Sequence, residues 1–328
     1  MPPQTIAGAN FRTVSWSGPK VISLRERCQG GPVREKPIET PAGALSRSRR
    51  VLLLIHGFNV DFCHAEKSYT TFMRELFFRW QARSVWVYWP GDYAFESESA
   101  IARWTRSAIS GASYSYQPDT AEAAARALRD FIFKVIDERR KFRHHYPIKL
   151  SIVAHSLGCR LALELLDLLG PRDDLKIELV VLMAAAVPLF EVRSTKRFDL
   201  AHTNASKTLI YFSKKDKTLK WLFRLGQRFY SSSPSNFLFG RAALGRHGPE
   251  GILPLNVEPI ERSYDHGDYW PDPSIPVRVG LELDGIKRPI SRRALLPRGF
   301  DAPRTVQGRR VAPRQIQLTT GACDCRGV

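Results

Sequence analysis

The sequence predicts an α/β protein built on an open, right-handed, doubly wound and mostly parallel sheet. Short apolar runs alternate along the chain with longer helical patterns, as they do in this class. The runs are continuously hydrophobic rather than alternating, which is typical of strands buried on both faces of a parallel sheet. With 43% hydrophobic and 25% charged residues, the composition is that of a globular protein, which excludes fibrous and wholly disordered classes.

The apolar runs predict five core strands. They are Val51–Ile55, Val85–Trp89, Leu150–Ala154, Leu179–Ala185 and Thr208–Phe212. A shorter strand-like run, Leu253–Ile260, follows near the end of the domain. Upstream lie two β-like runs, Arg12–Trp16 and Lys20–Arg25, and a stretch rich in Gly and Pro, Gln29–Gly43, that marks a loop or boundary.

Helical patterns separate these strands. The clearest covers Thr120–Arg143, starts with a capping box at Asp119 and ends in basic residues that favour the helix dipole. The other two are His64–Gln81 and Leu157–Leu169. The last of these stops at Gly170-Pro171, which is a strong termination signal.

We expect three segments in the chain. Residues 1–48 form an N-terminal extension, residues 49–284 form the α/β domain, and residues 285–328 form a basic tail. The tail has ten Lys and Arg against two Asp and Glu, so it contributes +8 to the net charge of +18. It lacks an apolar period, so we expect it to be disordered. Either it binds an acidic partner, anionic lipid or nucleic acid by counterion release, or it only solubilises the chain.

The sequence contains no apolar stretch of the ~20 residues that a membrane-spanning helix needs. Its first residues lack the apolar core of a secretory signal, so we expect a soluble, cytoplasmic protein. Five scattered cysteines are atypical of a disulfide framework. Cys323 and Cys325 have no second Cys or His pair nearby, so we assign no metal site.

A candidate nucleophile stands where the strand Leu150–Ala154 runs into the helix Leu157–Leu169. Ser156 occupies the turn between them, the strained elbow that exposes a serine in the pattern G-x-S-x-G. The elbow needs small residues two before and two after the serine. Here they are Ala154 and Gly158, a departure from the pattern by one methyl group. The alternative is that this serine only caps the helix, but its strand and its downstream partners favour the nucleophile.

The turn after the first core strand predicts an oxyanion site. A tetrahedral oxyanion needs two backbone N–H groups aimed at one point. We expect Leu157, the residue after the nucleophile, to supply one, and Phe58 to supply the other. The side chains of His56 and Asn59 are expected to bond to loop backbone groups. His155 is expected to be a packed, hydrogen-bonded core histidine that points away from the nucleophile.

A base for the serine must come from a later loop and must be oriented by a carboxylate. Asp216, just past the strand Thr208–Phe212, is the predicted acid, although its flanking lysines leave an exposed, solvated role open. Asp199 is the rival carboxylate, but no strand leads to it. His266 is the predicted base, and His247 ranks second because it precedes the last strand-like run. The chain order Ser, Asp, His suits a doubly wound serine hydrolase.

Three further segments surround this site. Thr218–Tyr230 has an apolar helical face, which predicts a helix docked on the domain; a lid or a membrane-lying helix are the alternatives. Phe237–Phe239 suits an apolar rim of the pocket. Trp89–Asp92 is expected to shape the far wall of the cleft.

The motifs HGFN, WPGD, AHSLG, SKKD and DHGDYW together resemble the α/β-hydrolase fold. The chain is most similar to a bacterial branch of esterase-like proteins of unassigned function, with an H-G-[FY]-N turn and an A-H-S-[LM]-G elbow. The resemblance covers residues 49–272. It implies a catalytic triad at Ser156, His266 and Asp216, and it brings no agreed substrate.

The leading hypothesis is a carboxylic ester hydrolase that works through an acyl-enzyme and needs no cofactor. Haloalkane dehalogenation is disfavoured because that chemistry uses a carboxylate where this chain has Ser156. The alternative is a catalytically idle hydrolase fold whose basic tail binds acidic lipid or nucleic acid. Between the two lies a lipase-like enzyme that the tail and the segment Lys214–Arg228 bring to anionic membranes.

Overall fold

The computed structural model describes residues 20–24, 38, 40–77, 83–91, 117–142, 146–192, 198, 205–221, 223, 242–251 and 253–285. A seven-stranded sheet occupies its centre, and every pair of neighbouring strands runs parallel. The strands are β1 (Lys20–Ser23), β2 (Arg50–Ile55), β3 (Arg83–Tyr88), β4 (Ile148–His155), β5 (Leu175–Met183), β6 (Lys207–Phe212) and β7 (Val257–Glu261). The prediction of a mostly parallel α/β sheet is therefore confirmed.

Helices connect and cover these strands. They are α1 (Gly43–Ser46), α2 (Phe62–Phe77), α3 (Gln117–Lys141), α4 (Gly158–Leu169), a 3-10 helix (Leu189–Val192), α5 (Leu244–His247) and α6 (Ser274–Leu283). The three predicted helices correspond to α2, α3 and α4. Asp61 accepts the N–H of His64 at 2.8 Å, and this cap starts α2 two residues earlier than predicted. Within the described ranges, no helix is long and apolar enough to cross a membrane.

The predicted bounds of the fourth core strand were wrong. β5 starts four residues before Leu179 because the charged residues Lys176 and Glu178 interrupt the apolar run without ending the strand. Glu178 receives hydrogen bonds from Arg50 at 3.2 Å and from Lys149 at 3.0 Å, so its charge is compensated at the sheet. The strand ends before Ala184, where φ is 47° and the chain turns.

The sheet order β1-β3-β2-β4-β5-β6-β7 reverses direction at its centre. After β2 the chain crosses to one side, to β3, whereas after β4 it crosses to the other side, to β5. A crevice opens at the carboxyl ends of two such strands, and ligands bind there in open α/β sheets. The turn 56–59 follows β2 and Ser156 follows β4, so the two predicted halves of the site meet at this crevice.

Helices lie on both faces of the sheet. Right-handed crossovers in opposite directions place α2 on one face and α3 and α4 on the other. The observed contacts agree, because α2 packs against α6 and α3 packs against α4. β2 and β4 are therefore covered on both sides, and every residue of β2 after Arg50 is buried.

Some predicted features lie outside the described residues. They are the run Arg12–Trp16, Asp92, Asp199, the segment Phe237–Phe239 and the tail from residue 286 onward. The run predicted at Lys20–Arg25 corresponds to β1, the edge strand that pairs with β3.

The segment after Asp216 docks onto the domain. Leu219 and Phe223 are each only 2% exposed, whereas Trp221 between them is 64% exposed. This pattern places the apolar side of the segment against the protein core. It agrees with the docked helix rather than with the lid or membrane-lying alternatives for these residues.

Gly245 in α5 fits closely against the turn that follows β5. A Cβ atom at this position would lie 2.1 Å from the carbonyl carbon of Ala184 and 2.1 Å from the amide nitrogen of Ala185. The carbonyl of Gly245 also accepts the N–H of Ser213 at 3.0 Å. This glycine therefore connects the ends of β5 and β6.

The substitution Gly245→Ala is expected to lower the free energy of unfolding by roughly 3 kcal/mol, because backbone atoms must move to admit the methyl group. Urea denaturation measures this loss. Gly43→Ala is the matched control, since no atom lies within 4 Å of a Cβ there. Equal stabilities of the two variants would contradict the packing described for Gly245.

Candidate active site

Ser156 lies in a tight turn between β4 and α4. Its backbone is in the left-handed region, with φ at 55°, a conformation that costs a non-glycine residue about 1–3 kcal/mol. Its N–H donates to the carbonyl of Met183 at 2.9 Å, and its carbonyl accepts the N–H of Ala186 at 3.0 Å. Residues at the end of β5 thus hold the strained turn. Leu157 is the N-cap of α4 and no side chain caps this helix, so Ser156 does not serve as a cap.

Two glycines allow the turns after β2 and β4 to touch. A Cβ atom on Gly158 would lie 2.3 Å from the carbonyl oxygen of His56. A Cβ atom on Gly57 would lie 2.8 Å from the Cβ of Ser156. Ala154, the departure from the usual pattern, is fully buried in β4 and pairs with Leu182 without disturbing the turn.

The structure brings the three predicted side chains into one hydrogen-bonded row. The Nε2 atom of His266 lies 2.8 Å from the hydroxyl oxygen of Ser156. Its Nδ1 atom lies 2.7 Å from Oδ2 of Asp216. A carboxylate only accepts, so Nδ1 carries the proton and Nε2 accepts from the serine hydroxyl. This is the arrangement that a general base needs.

Asp216 is fully buried and firmly held. Its second carboxylate oxygen, Oδ1, accepts the N–H of Leu219 at 2.8 Å. Its backbone carbonyl accepts from Nη1 of Arg246 at 2.9 Å. The exposed, solvated role that its flanking lysines had left open is therefore wrong. His247, the second candidate base, is exposed on α5, while His266 occupies the position beside the serine.

Ser213 joins the loop that carries Asp216 to the loop that carries His266. Its hydroxyl donates to the carbonyl of Tyr264 at 2.6 Å and accepts the N–H of the same residue at 3.1 Å. The hydroxyl also accepts the N–H of Lys215 at 3.2 Å. Asp265 adds a second link by accepting the N–H of Lys217 at 3.2 Å. These links were not predicted, because no local sequence pattern indicates that a serine will hydrogen-bond to a residue of another loop.

The aromatic pair that follows the base anchors the same loop. Tyr269 is fully buried, and Trp270 packs edge-on against Tyr69 at 5.4 Å and Phe72 at 5.5 Å between ring centroids. Both partners belong to α2. The loop that carries His266 is thereby attached to α2. This helix follows the turn 56–59, where the oxyanion site is predicted, which is called the oxyanion turn below.

His155 is buried beside the row. Its Nε2–H donates to the backbone carbonyl of His266 at 2.8 Å, and the two imidazole rings are 4.9 Å apart. Burial, followed by the neighbouring His266, lowers the pKa of His155 to about 3. The expectation of a packed, hydrogen-bonded histidine is confirmed, but the ring lies against His266 and the turn at Gly57 rather than pointing away from the site.

The imidazole of His56 stabilises the oxyanion turn by hydrogen bonds to backbone groups. Its Nδ1–H donates to the carbonyl of Gly57 at 2.8 Å, and its Nε2 accepts the N–H of Trp89 at 3.3 Å. The indole N–H of Trp89 donates to the carbonyl of His56 at 2.9 Å. This confirms that the side chain of His56 satisfies backbone groups. Trp89 is fully buried, so its own side chain does not line the surface of a cleft, and the expectation for the segment Trp89–Asp92 as a whole stays a prediction.

The predicted oxyanion donors lie on the two touching turns. No described residue accepts a hydrogen bond from the amide of Leu157. Phe58 follows Gly57 in the facing turn and is half-buried. The N–H of Asn59 donates to the carbonyl of Gly91 at 2.8 Å, which fixes the far end of that turn. The assignment of Phe58 as the second donor stays a prediction.

The low pKa of His155 predicts a specific pH dependence of stability. The unfolded chain protonates this imidazole below pH ~6.5, while the folded protein does so only near pH 3. Between these values the unfolded state binds more protons, so stability falls as the pH falls. At pH 4.5 this residue alone should cost about 3 kcal/mol relative to pH 7.

Urea denaturation of the wild type and of His155→Gln at both pH values measures this difference. The wild type should lose about 3 kcal/mol more than the variant on acidification. Equal losses would show that His155 is charged or accessible in the folded state.

Comparison with known proteins adds a family match. The model described as "Alpha/beta hydrolase of unknown function (DUF900)" matches residues 42–230, which is more than half of the chain. The match includes the oxyanion turn, the elbow and Asp216, and it ends before His266. No curated protein matches the sequence at a significant level.

Among solved structures, the chain is similar to three bacterial proteins. MenH from S. aureus is 11% identical, with 73% of this chain and 95% of that chain covered and a TM-score of 0.36. TT1662 from Thermus thermophilus is 13% identical, with 80% and 96% covered and a TM-score of 0.38. LpqC, a poly(3-hydroxybutyrate) depolymerase from Bordetella parapertussis, is 12% identical, with 80% and 87% covered and a TM-score of 0.35. At these TM-scores the similarities carry no inference about substrate.

Proposed function

Because the chain belongs to the α/β hydrolases of unknown function grouped as DUF900, we propose that it is a serine hydrolase that cleaves a carboxylic ester or a related acyl bond. One observation carries the proposal. The hydroxyl of Ser156, the imidazole of His266 and the carboxylate of Asp216 form a continuous row with contacts of 2.8 and 2.7 Å. A row of this kind is the defining geometry of serine acyl hydrolases.

In the first half of the reaction, the oxygen of Ser156 attacks the acyl carbon of the substrate. Nε2 of His266 takes the hydroxyl proton as the new C–O bond forms. The tetrahedral intermediate then collapses, the bond to the leaving alkoxide breaks, and the imidazolium returns the proton to it. An acyl-enzyme and a free alcohol result. In the second half, water repeats these steps and releases the carboxylic acid.

The buried carboxylate of Asp216 has two tasks. It holds the Nδ1–H tautomer of His266, and it stabilises the positive charge that forms on the ring in the transition state. Because Asp216 is fully buried, this charge interaction is screened little by water. The carboxylate is already fixed by Leu219, so no rearrangement is required when the charge develops.

The negative charge develops opposite the turn at Gly57. The amides of Leu157 and Phe58 are proposed to hold it, at the crevice where the turns after β2 and β4 touch. Losing one such donor typically costs about 10²–10³-fold in turnover. The tight turn at Ser156 serves the same end, because it places the amide of Leu157 at the start of α4, where helix N–H groups have no partner within the helix.

An activity-based probe tests the nucleophile. A fluorophosphonate should label the wild type at Ser156, and mass spectrometry should locate the adduct there. Ser156→Ala should not be labelled, and its turnover of p-nitrophenyl esters should fall by more than about 10⁴-fold.

Ser151→Ala is the matched control for this experiment. It removes a buried serine from the same strand, at a position that pairs with Leu52 and Leu179 in the sheet, and it should keep full labelling. Folded wild-type protein that resists the probe and hydrolyses no ester of a graded chain-length series would overturn the proposal. The series also identifies the preferred acyl length.

A pair of histidine variants tests the base. His266→Gln should lower kcat for the best ester by about 10⁴-fold, because no other described side chain bonds to the serine hydroxyl. His247→Gln should stay within twofold of the wild type, since this side chain is exposed on α5 and is not a member of the hydrogen-bonded row. A larger loss with His247→Gln than with His266→Gln would reverse the assignment.

A further inference from the structure

We propose that His155 is a positioning residue for the base: it clamps the backbone carbonyl of His266 and thereby keeps the imidazole in line with Ser156. The kinetic part of this inference rests on the proposed function. The geometric part does not, because it concerns only where His266 is held.

The backbone of His155 is held rigidly by the sheet. His155 is the last residue of β4, pairs with Met183 of β5 in the sheet, and is 6% exposed. Its backbone is therefore fixed by the same strand that carries Ser156. Its imidazole spans from this strand to the loop of the base, where Nε2–H donates to the carbonyl of His266 at 2.8 Å.

The loop that carries the base needs such a support. Residues 262–268 belong to no helix or strand, and the neighbours Asp265 and Gly267 are exposed. Other links hold the loop before His266, through Ser213 and Tyr264, and after it, through Trp270. The bond from His155 is the one described contact that fixes the main chain of the base residue itself from the nucleophile's strand. A displacement of about 1 Å at a catalytic group costs on the order of 10²-fold in rate.

His155 also touches the third part of the site. A Cβ atom on Gly57 would lie 3.1 Å from Nδ1 of His155, so the ring packs directly against the oxyanion turn. Its far side faces the rings of Tyr269 at 6.0 Å and Trp270 at 6.2 Å. One side chain thus connects the strand of the nucleophile, the turn of the oxyanion site and the loop of the base.

A neutral hydrogen-bond donor is the suitable group at this point. During the reaction His266 becomes an imidazolium whose ring is 4.9 Å from that of His155. A lysine or arginine would supply an N–H but would oppose this charge, whereas buried, neutral His155 supplies the N–H without doing so. A phenylalanine would fill the same space without holding the carbonyl.

Three substitutions separate the hydrogen bond from the packing. His155→Phe keeps the ring and removes the donor. His155→Gln keeps a donor, because its side-chain amide nitrogen reaches the place of Nε2. His155→Asn keeps a buried amide that is one methylene too short to reach the carbonyl. The Gln and Asn variants differ only in reach, so they remain a valid pair where the Phe variant does not fold.

The first readout is the proton NMR signal of the His266 Nδ1–H in its hydrogen bond with Asp216, identified by its absence in His266→Gln. It should be retained in the wild type and in His155→Gln, and it should be lost in His155→Phe and His155→Asn. This readout requires no substrate. An unchanged signal in the Phe and Asn variants would overturn the inference, whatever the activity of the wild type.

The second readout is the rate of fluorophosphonate labelling together with kcat and KM for an ester, measured at a temperature where each variant is folded. His155→Phe and His155→Asn should react about 10²-fold more slowly, with KM within twofold, and His155→Gln should recover at least tenfold. Labelling of the Phe variant within threefold of the wild type, or a Gln variant no faster than Asn, would overturn the inference. An unreactive wild type would instead contradict the proposed function, and the NMR signal would then decide the role of His155.

Discussion

The contact between the turns that follow β2 and β4 is the constraint on which the rest of the site depends. Gly57 and Gly158 leave no space for a side chain, so the two central strands end at one fixed separation. Ser156 is held in a left-handed backbone conformation by hydrogen bonds to the end of β5. Because rigid strands carry both turns, the serine hydroxyl and the amide of Leu157 are oriented before any substrate arrives.

A second constraint is electrostatic. An ionised carboxylate as deeply buried as that of Asp216 is costly unless both oxygens are bonded. One oxygen depends on His266 and the other on the amide of Leu219. The acid therefore needs the imidazole for its own stability, just as the imidazole needs the acid for its orientation. This mutual dependence explains why Ser213 and His155 both hold the loop of the base.

Local patterns predicted most of the fold and the main members of the site. Continuous apolar runs mark buried strands, and a serine between a strand and a helix marks the elbow at Ser156. Asp216 and His266 were chosen because they follow strand ends in the expected chain order, and the structure brings both into one row with Ser156. The resemblance to α/β hydrolases is confirmed by the family match. β5 was misplaced because paired charges at its start resemble a loop.

The supporting contacts were not predictable, because no motif or chain order marks their members as the order Ser, Asp, His marks the triad. Ser213 and Tyr264 are separated by 51 residues, and His155 and His266 by 111. No periodicity or spacing connects such pairs before the topology is known. The hydrogen bond from the indole of Trp89 to the carbonyl of His56 was likewise not predicted, because no sequence pattern connects these two residues.

The hydrogen bond from Arg246 to the carbonyl of Asp216 joins the two ends of a segment, which lie thirty positions apart in the sequence. The entropic cost of closing such a segment grows only with the logarithm of its length, by about 0.6 kcal/mol for each doubling. The chain between Phe223 and Arg246 can therefore change in length at little entropic cost while the bonds of Asp216 to Leu219 and Arg246 stay in place.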